Sequence, residues 1–130
     1  GMLSNLYSHE DFVTAYTLSP DGMILASASF RSTNDASVPV VILWDTLNGT
    51  ELKVLEISQP VNALQFSPDG KLLAVAAGSD LQIWDAAGGN LLTTLTGHSD
   101  FILQLAFSPD QHTIASAGQD KQLYLWQILE

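Results

Sequence analysis

Short apolar runs alternate with turn-forming residues along the whole chain. In the last third, apolar-rich segments at residues 91–96, 102–107, 113–117 and 123–126 are bounded by glycine, proline, asparagine and aspartate. Runs of this length between turn residues are typical of strands. No segment of ten or more residues has the 3.6-residue periodicity of an amphipathic helix. The pattern therefore predicts an all-β protein.

The same pattern recurs about every 40 residues, which is the signature of a repeat architecture. The tripeptide Ser-Pro-Asp occurs three times, and so does a tryptophan at the end of an apolar run. The copies are at residues 19–21, 67–69 and 108–110 for the tripeptide, and at Trp44, Trp84 and Trp126 for the tryptophan. Proline fixes φ in the turn, and the flanking serine and aspartate cap it. We therefore expect three copies of one β unit.

The first residues of the chain match a segment that lies between the second and third repeats. Residues 3–12 align without a gap with residues 92–101. The chain thus begins with the last strand of a repeat, expected at residues 2–7, followed by the start of the next repeat. Gly1 before Met2 resembles the remainder of a cleaved tag, so Met2 is expected to be the native start.

These features resemble the WD40-repeat family of β-propellers. The Trp-Asp dipeptide of the family occurs at residues 44–45 and 84–85, and its Gly-His signature at residues 97–98. The resemblance covers essentially the whole chain and implies an all-β fold of three four-stranded antiparallel blades, which is a partial β-propeller. The blades are expected at about residues 9–57, with an insertion at residues 30–39 between the second and third strands, at 58–97 and at 98–130.

The resemblance also implies a buried polar tetrad that ties a blade together. The third repeat has all four members at matching spacing: His98, Ser116, Asp120 and Trp126. In the first repeat His9, Ser27 and Trp44 match, but the insertion, which contains Asp35, displaces the aspartate. The second repeat has Ile-Ser at residues 57–58 in place of Gly-His, so we expect no tetrad there. The spacing favours this structural role over a hydrolytic triad.

Three blades are too few to close a ring, because propellers typically have about four to eight. Residues 2–7 would complete the third blade, and head-to-tail association of identical chains would close the ring. A dimer would have six blades, which we favour, and a trimer would have nine. Two alternatives remain: a fragment of a longer propeller of the seven-bladed type, or a purely structural self-assembling piece without a dedicated partner.

Charge and composition narrow the expected partners. The 130-residue chain has four basic residues against fourteen acidic ones, a formal net charge of −10, and no cysteine. Because so few cations cannot neutralise many phosphates, neither nucleic acid nor a membrane surface is an expected partner. The sequence shows no secretory signal and no long apolar span. Together with the missing cysteine, these features lead us to expect a cytoplasmic protein.

The sequence offers no pattern that is typical of catalysis. The aspartates recur as turn residues, no pair of histidines has metal-ligand spacing, and no phosphate-binding glycine loop occurs, so no enzyme activity, metal or cofactor is expected. The resemblance implies a protein–protein interaction scaffold whose loops share one face of the disc. The candidate partner-binding residues on that face are Asp11, Phe12, Arg31, Asn34, Asp35, Pro60, Asp100, Phe101 and Gln119.

Two of these assignments have open alternatives. Phe12 and Phe101 could anchor a partner, or they could cover the top of the next blade. The polar insertion at residues 30–39, which holds the one arginine of the chain, could contribute to binding or could be a tolerated surface insertion.

Overall fold

The computed structural model describes His9, residues 11–34 and residues 36–128, and these residues form β-strands without any helix. The first sheet contains β1 (Ala15–Leu18), β2 (Ile24–Thr33), β3 (Ala36–Asp45) and β4 (Thr50–Glu56). The second contains β5 (Val61–Phe66), β6 (Leu72–Ala77), β7 (Asp80–Asp85) and β8 (Asn90–Leu95). The third contains β9 (Ile102–Phe107), β10 (Thr113–Gly118) and β11 (Leu123–Gln127).

In each of the three sheets, strands that are consecutive along the chain lie side by side and run antiparallel. Each sheet is therefore one propeller blade, and the expected all-β class is confirmed. In the part of the chain described here, no helix is long and apolar enough to cross a membrane.

The third blade has three strands among the described residues, in the order β11-β10-β9. Its outer strand is β11, whereas β4 and β8 are the outer strands of the other two blades. The predicted fourth strand, residues 2–7, lies outside the described residues, so its position stays a prediction.

The Ser-Pro-Asp turn joins the first two strands of every blade and satisfies its own polar groups. In the first copy the Ser19 hydroxyl donates to Asp21 Oδ1 over 2.7 Å and accepts from the Ile24 amide at 2.9 Å. The Met23 amide also donates to Asp21 Oδ1. The second and third copies make the same three bonds. This explains why the tripeptide recurs in all three repeats.

One backbone position in this turn is left-handed in all three copies. Gly22 has φ of 74° and Gly70 of 76°, a conformation that glycine adopts without steric cost. The third copy has Gln111 there, with φ of 70°. Since a side chain is strained at such an angle, the third turn is the least relaxed of the three.

Two apolar boundaries hold the blades side by side. We call the face of a blade toward the next blade its trailing face, and the face toward the preceding blade its leading face. At the first boundary, Ala26, Ala28, Val41 and Leu43 of the first trailing face pack with Val61, Leu64, Phe66, Leu73 and Val75. At the second, Ala74, Ala76, Leu81 and Ile83 pack with Ile102, Leu105, Phe107 and Ile114. The two boundaries thus use the same positions of successive repeats.

The insertion at residues 30–39 is a β-ribbon rather than a loop. Pairing of β2 with β3 continues without a shift from Ile24–Asp45 to Thr33–Ala36, and Asn34 turns the chain with φ of 48°. Val38 packs against the buried side chains of the first blade. Phenylalanine, threonine and valine in the insertion favour extended pairing, which is consistent with a ribbon that prolongs the blade.

Candidate protein interaction face

The third blade brings its four predicted tetrad residues into one hydrogen-bonded chain. The Trp126 indole N–H donates to Ser116 Oγ at 2.8 Å, and that hydroxyl donates to His98 Nε2 at 2.8 Å. His98 Nδ1–H then donates to Asp120 Oδ2 at 2.9 Å. The His98 and Asp120 side chains are almost completely buried. Because every member has a partner, the network fixes the loops before β9 and after β10.

Asp120 is held in its charged, accepting form. Burial alone would raise the pKa of this carboxyl, but hydrogen bonds from the Ser99 amide, the His98 ring and the Gln122 amide outweigh it, so the pKa is lowered. Gly118 lies directly against the pair, since a Cβ there would be 2.7 Å from both His98 Nδ1 and Asp120 Oδ1. The tetrad therefore depends on a glycine beside it.

The first blade keeps three members of the tetrad. Trp44 donates to Ser27 Oγ at 2.8 Å, and His9 Nε2 bonds the same hydroxyl. Burial lowers the pKa of His9, as does the nearby Arg31, while Glu51 opposes the change. Asp35, the only aspartate of the insertion, lies outside the described residues.

Arg31 is engaged within its own blade. Its Nη2 lies 3.0 Å from Glu51 Oε2 on β4, and both side chains are partly exposed. The arginine predicted to face a partner is therefore already paired with a carboxylate that is 20 residues away in sequence. Arg31 can readily exchange Glu51 for another carboxylate, because exposed ion pairs contribute little to stability.

The second blade has a different network, which the sequence pattern did not reveal. The Trp84 indole N–H donates to Gln82 Oε1 at 2.9 Å, and Gln82 Nε2 donates to Ser58 Oγ at 3.2 Å. Gln82 is buried and lies two residues before the tryptophan, on the same side of β7. The sequence offered one indication of this network, which is a glutamine on the same side of the strand as the tryptophan. The expectation that this blade lacks the tetrad agrees with these contacts.

The three loops that lead into β1, β5 and β9 carry equivalent residues: Phe12, Pro60 and Phe101. Phe12 is 67% exposed and Phe101 is 46% exposed. Asp11 Oδ1 accepts from the Phe12 amide at 2.8 Å, and Asp100 Oδ1 accepts from the Phe101 amide at 2.8 Å. The two aspartates thus shape matching turns that leave the aromatic rings accessible. We call Phe12, Pro60 and Phe101, with their preceding residues, the loop face.

Neighbouring loops support the two aromatic residues. The Gln119 amide donates to the Phe101 carbonyl at 2.8 Å, and the Ser29 hydroxyl donates to the Phe12 carbonyl at 2.7 Å. The Phe12 ring packs against the Phe30 ring, with centroids 6.0 Å apart. Phe12 is therefore joined to the base of the ribbon, while Asn34 lies exposed at the tip of the ribbon.

A concave groove of about 520 Å³ runs along the inner edge of the arc, between β1, β5 and β9. Its lining is mixed and includes Thr14, Asn62 and Gln104 beside Leu64 and Leu103. Among the described residues there is no group of three or more side chains that could hold a metal ion. The loop face, with its two exposed phenylalanines, is the stronger candidate for recognition.

Comparisons with known proteins agree with the fold. The family model for the WD domain, G-beta repeat, matches residues 2–38, 49–85 and 89–127. The chain is 33% identical over 133 residues to the small ribosomal subunit protein RACK1 of Schizosaccharomyces pombe, covering 94% of this chain and 40% of that protein. It is 36% identical over 90 residues to human WD repeat and SOCS box-containing protein 1, covering 66% of this chain and 21% of that protein.

Solved structures show the same similarity. The WD40 repeats of RRP9 superpose with a TM-score of 0.81 at 29% identity, over 95% of this chain and 37% of that one. The structure of U3-55K also superposes with a TM-score of 0.81, at 28% identity, over 95% of this chain and 38% of that one. The chain therefore spans about two fifths or less of the relatives and structures it matches.

Proposed function

The chain belongs to the WD40 repeat family, and from that premise we propose that it is a non-enzymatic scaffold that binds a protein partner through its loop face. The observation that carries the proposal is the exposure of Phe12 and Phe101 at equivalent positions of two blades. Accessible aromatic side chains on rigid turns are the kind of anchor that dominates protein interfaces. Phe12 has two thirds of its surface exposed, which favours the anchor over a role in covering the next blade.

The charge of the chain favours a partner with a basic surface. The formal net charge is −10, and the acidic side chains Asp11 and Asp100 flank the two phenylalanines. Complementary charge speeds the encounter of two proteins and selects against wrong partners. Nucleic acid and membrane surfaces are not proposed as partners, since both are anionic. We propose the cytoplasm as the location.

The ribbon formed by residues 30–39 is proposed to extend the loop face. Phe30 contacts Phe12, so the base of the ribbon and the first loop form one surface. Arg31 contributes a cation that a partner carboxylate could take over from Glu51. The candidate residues Asn34, Asp35, Pro60 and Gln119 complete the proposed surface, with Asp35 outside the described part of the chain.

The scaffold is proposed to be a closed ring made by self-association. Two chains would give six blades, which we favour, and three chains would give nine. Residues 2–7 of each chain would pair with β11 of the next, so deleting them is expected to abolish the assembly. A fragment of a longer propeller, or an assembling piece without a dedicated partner, is the alternative.

Quantitative mass spectrometry of co-purifying proteins tests the loop face. The baits are the wild-type chain, Phe12→Ala/Phe101→Ala, and the control Leu47→Ala, which changes an 80% exposed residue in the β3–β4 turn. The double variant is expected to lose a specific set of proteins by at least about tenfold while its circular dichroism stays unchanged. Equal capture by all three baits would contradict the proposal.

A further inference from the structure

The same repeat position is buried inside the arc and exposed at its trailing end. Aligning the three Ser-Pro-Asp turns and the three tryptophans makes Val41, Leu81 and Leu123 equivalent. Val41 and Leu81 have no exposed surface, whereas Leu123 is 79% exposed. The position two residues later is also exposed at the trailing end, where Leu125 is 77% exposed.

The leading end of the arc shows the complementary pattern. Leu64, on the leading face of the second blade, is 6% exposed, whereas its equivalent Tyr16 in the first blade is 74% exposed. Leu18 is about half exposed, and its equivalent Phe66 is buried. Both ends therefore present apolar side chains at positions that are buried wherever two blades meet.

The trailing end also has a recess for such side chains. Ala115 and Ala117 on β10, together with Leu123, line a shallow depression of about 180 Å³. Their equivalents in the second blade, Ala74 and Ala76, are completely buried where β6 packs against β9 of the third blade. At the inner boundaries, the first strand of the following blade thus covers this pair of alanines.

We infer that the first blade of a second copy of this chain covers the trailing face of the third blade, with Tyr16 of that copy over the recess formed by Ala115, Ala117 and Leu123. A second copy fits this face because its leading face carries apolar residues at the repeat positions that cover the equivalent alanines at the inner blade boundaries. The contact is heterologous, so it uses a different surface on each chain, and it closes a ring when the rotations between successive copies add up to a full turn. The inference rests on the proposed self-association and names the surfaces that form it.

Charged substitutions at the two ends test the contact. Tyr16→Lys and Leu123→Glu change highly exposed residues, so each chain is expected to fold and to retain its circular dichroism. Leu47→Lys is the matched control at an exposed turn leucine. By light scattering, the wild type and the control are expected at twice the 14.0 kDa chain mass, and each end variant at 14.0 kDa.

Mixing the two variants gives an independent readout. In a ring of two copies, one junction places the new lysine of Tyr16→Lys beside the new glutamate of Leu123→Glu, and the other junction is wild type. An equimolar mixture is therefore expected to recover the double mass. A ring of three cannot alternate two variants, so mixing them is not expected to restore a trimer. A wild-type mass of three chains, together with a mixture that stays at the single-chain mass, therefore supports the same contact in a trimer.

Two results would overturn the inference. One is a wild-type chain that is monomeric at 14.0 kDa, which would leave these faces to other blades of a longer chain. The other is an oligomer that both end variants retain. Neither result affects the loop-face proposal, because partner capture by Phe12 and Phe101 is measured separately and can persist in a monomer.

Discussion

The Trp126 indole N–H donates to the Ser116 hydroxyl over 2.8 Å. Trp44 makes the same bond to Ser27 in the first blade, also at 2.8 Å, whereas Trp84 donates to a glutamine side chain. In all three repeats the tryptophan N–H therefore has a hydrogen-bond acceptor, which is a serine in two blades and a glutamine in the third. The partner of the tryptophan is thus a property of each blade and not of the repeat as a whole.

Ser116→Ala is expected to lower the free energy of unfolding by about 1–3 kcal/mol, because it leaves the Trp126 N–H and His98 Nε2 without their shared hydroxyl. Urea denaturation followed by tryptophan fluorescence measures the change. The exposed Ser99→Ala serves as the control. A loss no greater than that of the control would show that the buried hydroxyl contributes little.

Gln111→Gly is expected to raise the free energy of unfolding by about 0.5–1 kcal/mol, since glycine relieves the strain of the left-handed backbone. The φ of Gln111 is 70°, and its Oε1 is buried without a hydrogen-bond partner in the described part of the chain. Thermal unfolding measures the gain. Gln111→Ala removes the polar side chain but keeps the strain, so an equal gain from alanine would contradict the backbone explanation.

Acid is expected to loosen the three Ser-Pro-Asp turns. Hydrogen bonds from Ser19, and then from the Met23 amide, lower the pKa of Asp21, and the equivalent bonds lower the pKa of Asp69 and Asp110. A carboxyl with a lowered pKa stabilises the fold above its unfolded value of 3.8 and loses this effect as the pH falls through its folded value. The melting temperature is therefore expected to decrease when the pH is lowered below about 4.

Asp110→Asn isolates one turn in that measurement. The variant is expected to be less stable than the wild type at pH 7, with a difference that narrows as the pH falls below 3.8. His9 also has a lowered pKa, so its contribution to stability is lost as the pH falls below its ordinary 6.5, and this loss is common to both proteins. A difference that stays constant down to about pH 2.5 would contradict the role of the charge.

Shortening the ribbon separates binding from folding. Replacing residues 32–37 with Asn-Gly keeps the Arg31–Val38 pair of β2 and β3 and closes it with a favoured two-residue turn. The fold and the Arg31–Glu51 pair are expected to survive, and partner capture is expected to weaken severalfold. A shortened chain with unchanged stability and unchanged capture would identify the ribbon as a tolerated insertion.

Periodicity predicts the strands well because each repeat carries its own turn residues. The run at residues 102–107 is β9, and the turn residues around it are where the chain reverses. The ribbon escapes this kind of prediction because its polar residues do not alternate with apolar ones. Its pairing follows from the register of β2 and β3, which a local pattern does not encode.

Contacts through space were the part that the sequence could not supply. Arg31 and Glu51 lie on strands separated by a third, and nothing in their spacing links them. The Gln82–Ser58 contact joins residues 24 positions apart, in a repeat without the family histidine. The tetrad of the third blade was predictable only because a known spacing ties its four members together.

Val41, Leu81 and Leu123 give the molecule an internal calibration series. One position of the repeat occurs three times, twice without exposed surface and once 79% exposed in the single chain. Truncating each to alanine compares the energetics of closely similar aliphatic side chains in a single chain under identical solvent conditions. In the Tyr16→Lys background, which is expected to be monomeric, the difference between Leu81→Ala and Leu123→Ala measures the free energy of burying that leucine site, including the cavity that truncation leaves.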